Sequence, residues 1–104
     1  MSQLEWIKAI EEGAVEWSAH ALKTMFERDI SREAVTHVIR TGEVIEEYPE
    51  DRPFPSTLIL GFWQNKPLHA VTAYDTAGGR LYIITAYAPD ERHFQPDWKV
   101  RRIK

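Results

Sequence analysis

Two helix-start signals stand thirteen residues apart near the beginning of this chain, and they constrain its fold more than any other feature. Both lie in residues 17–42, WSAHALKTMFERDISREAVTHVIRTG. The Ser18 hydroxyl is placed to accept a hydrogen bond from a free backbone N–H of the first helical turn. Trp17 before it and Leu22 after it take the N′ and N4 places of a hydrophobic staple. Ile30, Ser31 and Val35 repeat the device one helix later. Thr41-Gly42 ends the second helix, with the glycine expected in the left-handed C′ position. The stretch therefore predicts two consecutive helices with a sharp joint.

The apolar spacing agrees with two helices. Ala21, Leu22, Met25 and Phe26 fall at i, i+3 and i+4 on the first, and Val35, Val38 and Ile39 on the second. The opposite side of the first helix is a polar stripe of His20, Thr24, Glu27 and Arg28. Upstream, residues 3–13 predict a short amphipathic helix with Leu4, Ile7 and Ile10 on one side and Trp6 beside Ile10, stopping at Gly13. Residues 14–17 read as a brief extended link or a short strand.

After Gly42 the period changes from about 3.6 to 2. Residues 43–48 predict a strand ending at Pro49. Residues 49–56, PEDRPFPS, form a loop, because its prolines cannot donate to a central ladder. Residues 57–63, 68–75 and 81–87 predict three further strands. They are joined by a turn at 64–67 and a glycine-bearing turn at 77–80, which gives an antiparallel meander. Helices followed by antiparallel strands mean an α+β fold, with N-terminal helices packed on one face of a small sheet. The domain organisation read from the chain is a single domain, 1–104. It comprises an N-terminal helix (1–14), a helix pair (18–42), an antiparallel sheet (43–88) and an irregular basic tail (89–104).

Composition removes several functional classes. The chain has no cysteine, so disulfides, thiolate zinc sites and a cysteine nucleophile are excluded, in keeping with a reducing cytoplasm. No stretch is long and apolar enough to span a bilayer, and no signal-peptide core opens the chain. There is no glycine-rich phosphate loop and no serine nucleophile elbow. The four histidines, His20, His37, His69 and His93, show no metal-ligand spacing, so neither metal nor cofactor is expected. The net charge is −3, yet the last six residues carry four positive charges and no acid, leaving −7 on the preceding 98. The basic tail is expected to be a frayed, solvated end, with contact to a phosphate backbone as the other reading.

Alternation along the last two strands brings chemistry together. Leu81, Ile83, Thr85 and Tyr87 share one expected face. In a hairpin the start of one strand lies beside the end of the next, which places His69 near Thr85 and Tyr87. Register alone decides whether they share a face. Histidine can exchange protons near neutral pH, and arginine can grip a phosphate with two hydrogen bonds. His20, Arg28, His69, Thr85 and Tyr87 are thus candidate catalytic residues for metal-independent RNA cleavage through the 2′-OH. Two other readings stand beside this one: a non-enzymatic protein-interaction module, and a structural role in which the histidines and Arg28 tie the helix pair to the sheet.

A family resemblance rests on Ser18-x-His20-Ala21, Glu27-Arg28-x-Ile30-Ser31, Gly42-Glu43-Val44-Ile45, Pro67-Leu68-His69 and Thr85-Ala86-Tyr87-x-Pro89-Asp90. With these motifs, residues 15–98 resemble a small bacterial and archaeal family of unknown function. That family is distantly similar to RelE/ParE- and BrnT-like toxins of type II toxin–antitoxin pairs. The resemblance implies two helices on an antiparallel sheet and a ribonuclease-type cleft on the exposed sheet face. It also implies an antitoxin partner, often a small protein with a zinc-finger segment and a helix-turn-helix. Its motif positions here are His20, Arg28, His69, Thr85 and Tyr87. This chain departs from the pattern in its acidic body, where RelE-type toxins tend to be basic, and in Asp29, where the family's turn often holds glycine.

Overall fold

The computed structural model describes residues 3–101. Its elements are α1 (Gln3–Glu11), β1 (Val15–Trp17), α2 (Ala19–Glu27), α3 (Arg32–Thr41), β2 (Glu43–Tyr48), β3 (Ser56–Trp63), β4 (Lys66–Asp75) and β5 (Arg80–Tyr87). The strands form one sheet in the order β1-β5-β4-β3-β2. β2 to β5 pair antiparallel, while β1 lies parallel to β5, with Val15 opposite Leu81. The fold is α+β as expected, and the parallel edge strand makes the sheet mixed rather than purely antiparallel.

Local chemistry sets the helix ends. Ser18 and Ser31 accept hydrogen bonds from the Ala21 and Ala34 amides at 2.9 and 3.0 Å. Asp29 turns the chain between α2 and α3 at φ 55°, a left-handed value that an aspartate tolerates better than most residues. Gly42 departs from expectation, since its backbone is extended at φ −82° rather than left-handed. Its reason is space: a Cβ there would lie 2.6 Å from the Val38 carbonyl oxygen and against that of Leu60. The β3–β4 connection is tighter than the expected four-residue turn. Gln64 and Asn65 form it alone at φ 52° and 66°, the positive values of a type I′ hairpin, and Pro67 already belongs to β4.

The core lies between the helices and one sheet face. Met25, Val35, Val38 and Ile39 pack there with Ile59, Ala70, Leu81 and Ile83. The apolar stripe of α3 is as expected. On α2, however, only Ala21 and Met25 are buried, and Phe26 is 89% exposed. On α1 the buried residues are Trp6 and Ala9, while Leu4 faces solvent. Both helices are turned slightly from the side that hydrophobicity alone favours, because small residues let them lie close to the sheet.

A bulge in β5 changes the strand faces. The partner of Val71 is Thr85 and that of Thr72 is Ile83, so Ile84 is an extra residue. Beyond it the alternation inverts. Ala86 joins Leu81 and Ile83 in the core, and Thr85 and Tyr87 turn to the opposite face, contrary to the unbroken alternation expected.

That second face is covered around His69 by the segment after β5, while a concavity of about 300 Å³ beside Ala73, Tyr82 and Ile84 stays open on it. Residues 89–101 are irregular, as expected, but they dock on the sheet instead of fraying. Phe94 is 3% exposed and stands edge-on to His69, with ring centres 4.6 Å apart. Arg101 grips the Glu46 carboxylate through Nε at 3.0 Å and its terminal nitrogen at 3.2 Å. Lys99 reaches Glu43 at 2.9 Å. Arg102 and Lys104 of the expected basic tail lie outside the described residues.

Candidate functional site

His69 sits on β4 directly opposite Tyr87 on β5 and Leu60 on β3, and it has no exposed surface. Its Nε2 lies 2.7 Å from the Trp98 carbonyl oxygen, which can only accept, so Nε2 carries the ring proton. Nδ1 is then an acceptor, and the Tyr87 hydroxyl donates to it across 3.3 Å. Burial pulls the His69 pKa below its usual value, against the opposing pull of the Trp98 carbonyl. Burial likewise pushes the Tyr87 pKa up, against the nearby Arg101 charge, so the phenol keeps its proton. Arg101 shares a concavity with Tyr87. One bonded group thus runs from Trp98 through His69 to Tyr87, and a second from Arg101 to Glu46, which also accepts from the Tyr48 hydroxyl.

Arg28 approaches from the other layer. It caps the C-terminus of α2, with its backbone N–H bonded to the Thr24 carbonyl. Its guanidinium makes no hydrogen bond or ion pair among the described residues. It lies between two concavities. One, of about 260 Å³, is lined by Arg28, Tyr87, Asp90, His93, Phe94 and Arg101 among others. The second, of about 410 Å³, shares Arg28 and Ala88 and extends between the α2–α3 joint and the β3–β4 hairpin.

In the smaller concavity His93 Nδ1 lies 2.7 Å from Asp90 Oδ1, and the same oxygen accepts the backbone N–H groups of Arg92 and His93 at 3.0 Å. The His93 bond is the main reason the Asp90 carboxyl lies below the usual carboxylate range. An Asx turn therefore fixes an imidazole with one nitrogen held by carboxylate and the other free. A carboxylate-oriented imidazole can accept a proton from a hydroxyl. Arg28 and Arg101 frame the same space, where two guanidiniums suit the oxygens of a phosphodiester.

Of the five candidates read from sequence, His69 and Tyr87 are in direct contact. Thr85 shares their face, opposite Val71 and half-buried. Arg28 meets Tyr87 across the smaller concavity. His20 is exposed on α2 and lines neither concavity. With residues 89–101 in place, the His69 ring has both nitrogens engaged and no route to a substrate. Asp90, His93 and Arg101 were not among the candidates, although Asp90 stood in the family motif and Arg101 in the basic tail. The signal for the first two was the spacing Asp-x-x-His directly after Pro89, which favours an Asx turn.

The fold is that of a small α+β domain, with the concavity that gathers Arg28, Tyr87, His93 and Arg101 at the end of β5. Residues 17–88 match the family described as Domain of unknown function (DUF4258), and the chain belongs to that family. The match includes His20, Arg28, His69, Thr85 and Tyr87 and ends before Asp90, His93 and Arg101. No curated protein and no solved structure matches the chain. No helix among the described residues is long and apolar enough to cross a membrane.

Proposed function

We propose that the chain is a toxin-like, metal-independent endoribonuclease acting in the smaller concavity. The observation that carries this reading is the meeting there of Arg28, Arg101, Tyr87 and the His93–Asp90 pair. His93 Nε2 takes the proton of a ribose 2′-OH, and the oxygen attacks the adjacent phosphorus. The P–O2′ bond forms and the P–O5′ bond breaks. Arg28 neutralises the extra charge on the phosphorane, and Arg101, whose charge Glu46 balances, adds a hydrogen-bond donor at the stage where preorganised donors contribute most. The departing 5′-oxygen takes a proton from solvent at the open mouth, leaving a 2′,3′-cyclic phosphate. The Tyr87 O–H is already donated in a hydrogen bond to His69 Nδ1, so the oxygen can only accept hydrogen bonds in orienting the ribose. His69, Thr85 and the docked segment support it from behind. A neutralising antitoxin protein, of the zinc-finger or helix-turn-helix kind implied by the resemblance, belongs to the same reading.

The net acidity of the chain does not oppose RNA binding at this place. Lys99 and Arg101 sit on Glu43 and Glu46, while Arg28 keeps its charge free for an anion. One observation supports a second reading, a non-enzymatic interaction module: His20 and His69 share no cavity. A single experiment separates the two. Purified chain is incubated with single-stranded RNA, and its products are examined for cyclic phosphate ends, beside His93→Ala and Arg28→Ala. The wild type is expected to cut, with each variant slower by about 10²-fold or more. Cleavage that persists in His93→Ala removes the mechanism, and an inert wild type leaves the interaction module.

A further inference from the structure

The larger concavity has its own chemistry. Its volume of about 410 Å³ falls within the range of roughly 300–1,000 Å³ typical of small-molecule sites. Its floor is apolar, formed by Ile30 and Leu68, and its wall includes Trp63. Trp63 is half-buried: part of it packs on the core, with its ring edge-on to His37 at 5.3 Å. The remainder lines the cavity. Its polar lining includes Arg28, Lys66 and Gln64 beside one carboxylate, Asp29, so two cations face a single acid. Neither Arg28 nor Lys66 has a carboxylate partner among the described residues, unlike Arg80, Lys99 and Arg101, which do. The two-residue turn at Gln64 and Asn65 fixes the hairpin that presents both Gln64 and Lys66.

We infer that this concavity is a nucleotide subsite, which holds the nucleotide next to the phosphate bound at Arg28. The inference rests on the cleavage reading for its placement and adds the substrate's second contact. Arg28 and Ala88 line both cavities, so a chain whose phosphate lies on Arg28 in one has the other directly beside it to continue into. There its base meets the Trp63 wall and the apolar floor, because an unpaired base has an apolar face that aromatic side chains cover. Its own phosphate meets Lys66, and the Gln64 amide can both donate to and accept from a base edge. An isolated inorganic anion would need the cations alone and would leave the apolar floor unused.

A single-stranded 2′-deoxy trinucleotide tests this, because it lacks the attacking hydroxyl and its binding is read without cleavage. Titration calorimetry compares wild type, Lys66→Ala and, as a control of equal charge change on α1, Lys8→Ala. Lys66→Ala is expected to bind about tenfold more weakly, the scale of one charge-assisted hydrogen bond, and Lys8→Ala as the wild type does. Equal affinity of Lys66→Ala and wild type overturns the subsite, as does a wild type that binds no trinucleotide. Lys66-dependent binding by a chain that cuts no RNA leaves the subsite standing and removes only the cleavage reading.

Discussion

Protonating His69 would place a charge on a ring with no exposed surface, near the Arg101 cation. The unfolded ring takes up its proton near the ordinary value of 6.5, while the folded ring resists. Between those two values the unfolded state binds more protons, so stability falls as pH drops below 6.5. Glu46 acts in the same direction further down. Burial raises its pKa, but the hydrogen bonds from Tyr48 and Arg101 outweigh burial and hold it below the ordinary 4.5. Its contribution is complete above 4.5 and is lost as pH falls through the folded value. Denaturant unfolding followed from pH 7.5 to 3.5 is expected to show both losses. His69→Gln should cost about 1–3 kcal/mol at the upper pH, the scale of leaving a buried polar partner unpaired. It should also flatten the curve below 6.5, while Glu46→Gln flattens only the lower part. An unchanged slope in His69→Gln would mean that the ring titrates freely. The nearness of His69 to Tyr87 followed from hairpin logic, but their shared face did not, because it depends on the extra residue at Ile84. Nor did the tautomer, because it is set by the Trp98 carbonyl, which residues 29 positions further on deliver.

At the level of elements, the close approach of α3 to β3 depends on Gly61. A Cβ there would stand 2.8 to 3.0 Å from Val38, closer than real Cβ contacts allow, and Val38 is itself fully buried. Gly61→Ala must therefore push the helix off the strand, and overpacking of this kind costs about 1–3 kcal/mol. Thermal unfolding checks it, with an unchanged Tm showing that the helix yields freely. The helix starts were legible because a cap is a bond between a side chain and its own first turn. So was the α3 stripe, since Val35, Val38 and Ile39 leave only one side to bury. The side of α2 facing the sheet was not legible. Leu22 and Phe26 satisfy the spacing as well as Ala21 and Met25 do. What favours the second pair is tertiary: small Ala21 lets the helix lie close to the sheet, and the Ser18 hydroxyl ties its start to the Ile84 carbonyl at 2.8 Å. The extra residue at Ile84 and the parallel pairing of β1 left no pattern in sequence either, since each is a property of two strands meeting.

Taken as a whole, the molecule is a helix layer, a sheet and an irregular strap, and the strap completes the site. Residues 89–101 have no hydrophobic period, so their docking is decided by single anchors. The ion pairs of Lys99 with Glu43 and Arg101 with Glu46 lie at the surface, where such pairs contribute about 0–1 kcal/mol each. Burying the Phe94 ring contributes about 1.5–3 kcal/mol, so the ring rather than the charges holds the strap. Phe94→Ala is therefore expected to release residues 89–101 while the sheet stays folded. Amide hydrogen exchange reads this directly. The Phe94, Gln95 and Trp98 amides, bonded to the carbonyls of Asp90, Val100 and Gln95, should lose protection, while β3 and β4 amides keep theirs. Release also scatters His93 and Arg101 away from Arg28, so RNA cleavage should fall in parallel although no residue of the proposed chemistry is altered. If the strap stays protected, the charges hold it after all. If the strands lose protection together with it, strap and sheet are one cooperative unit.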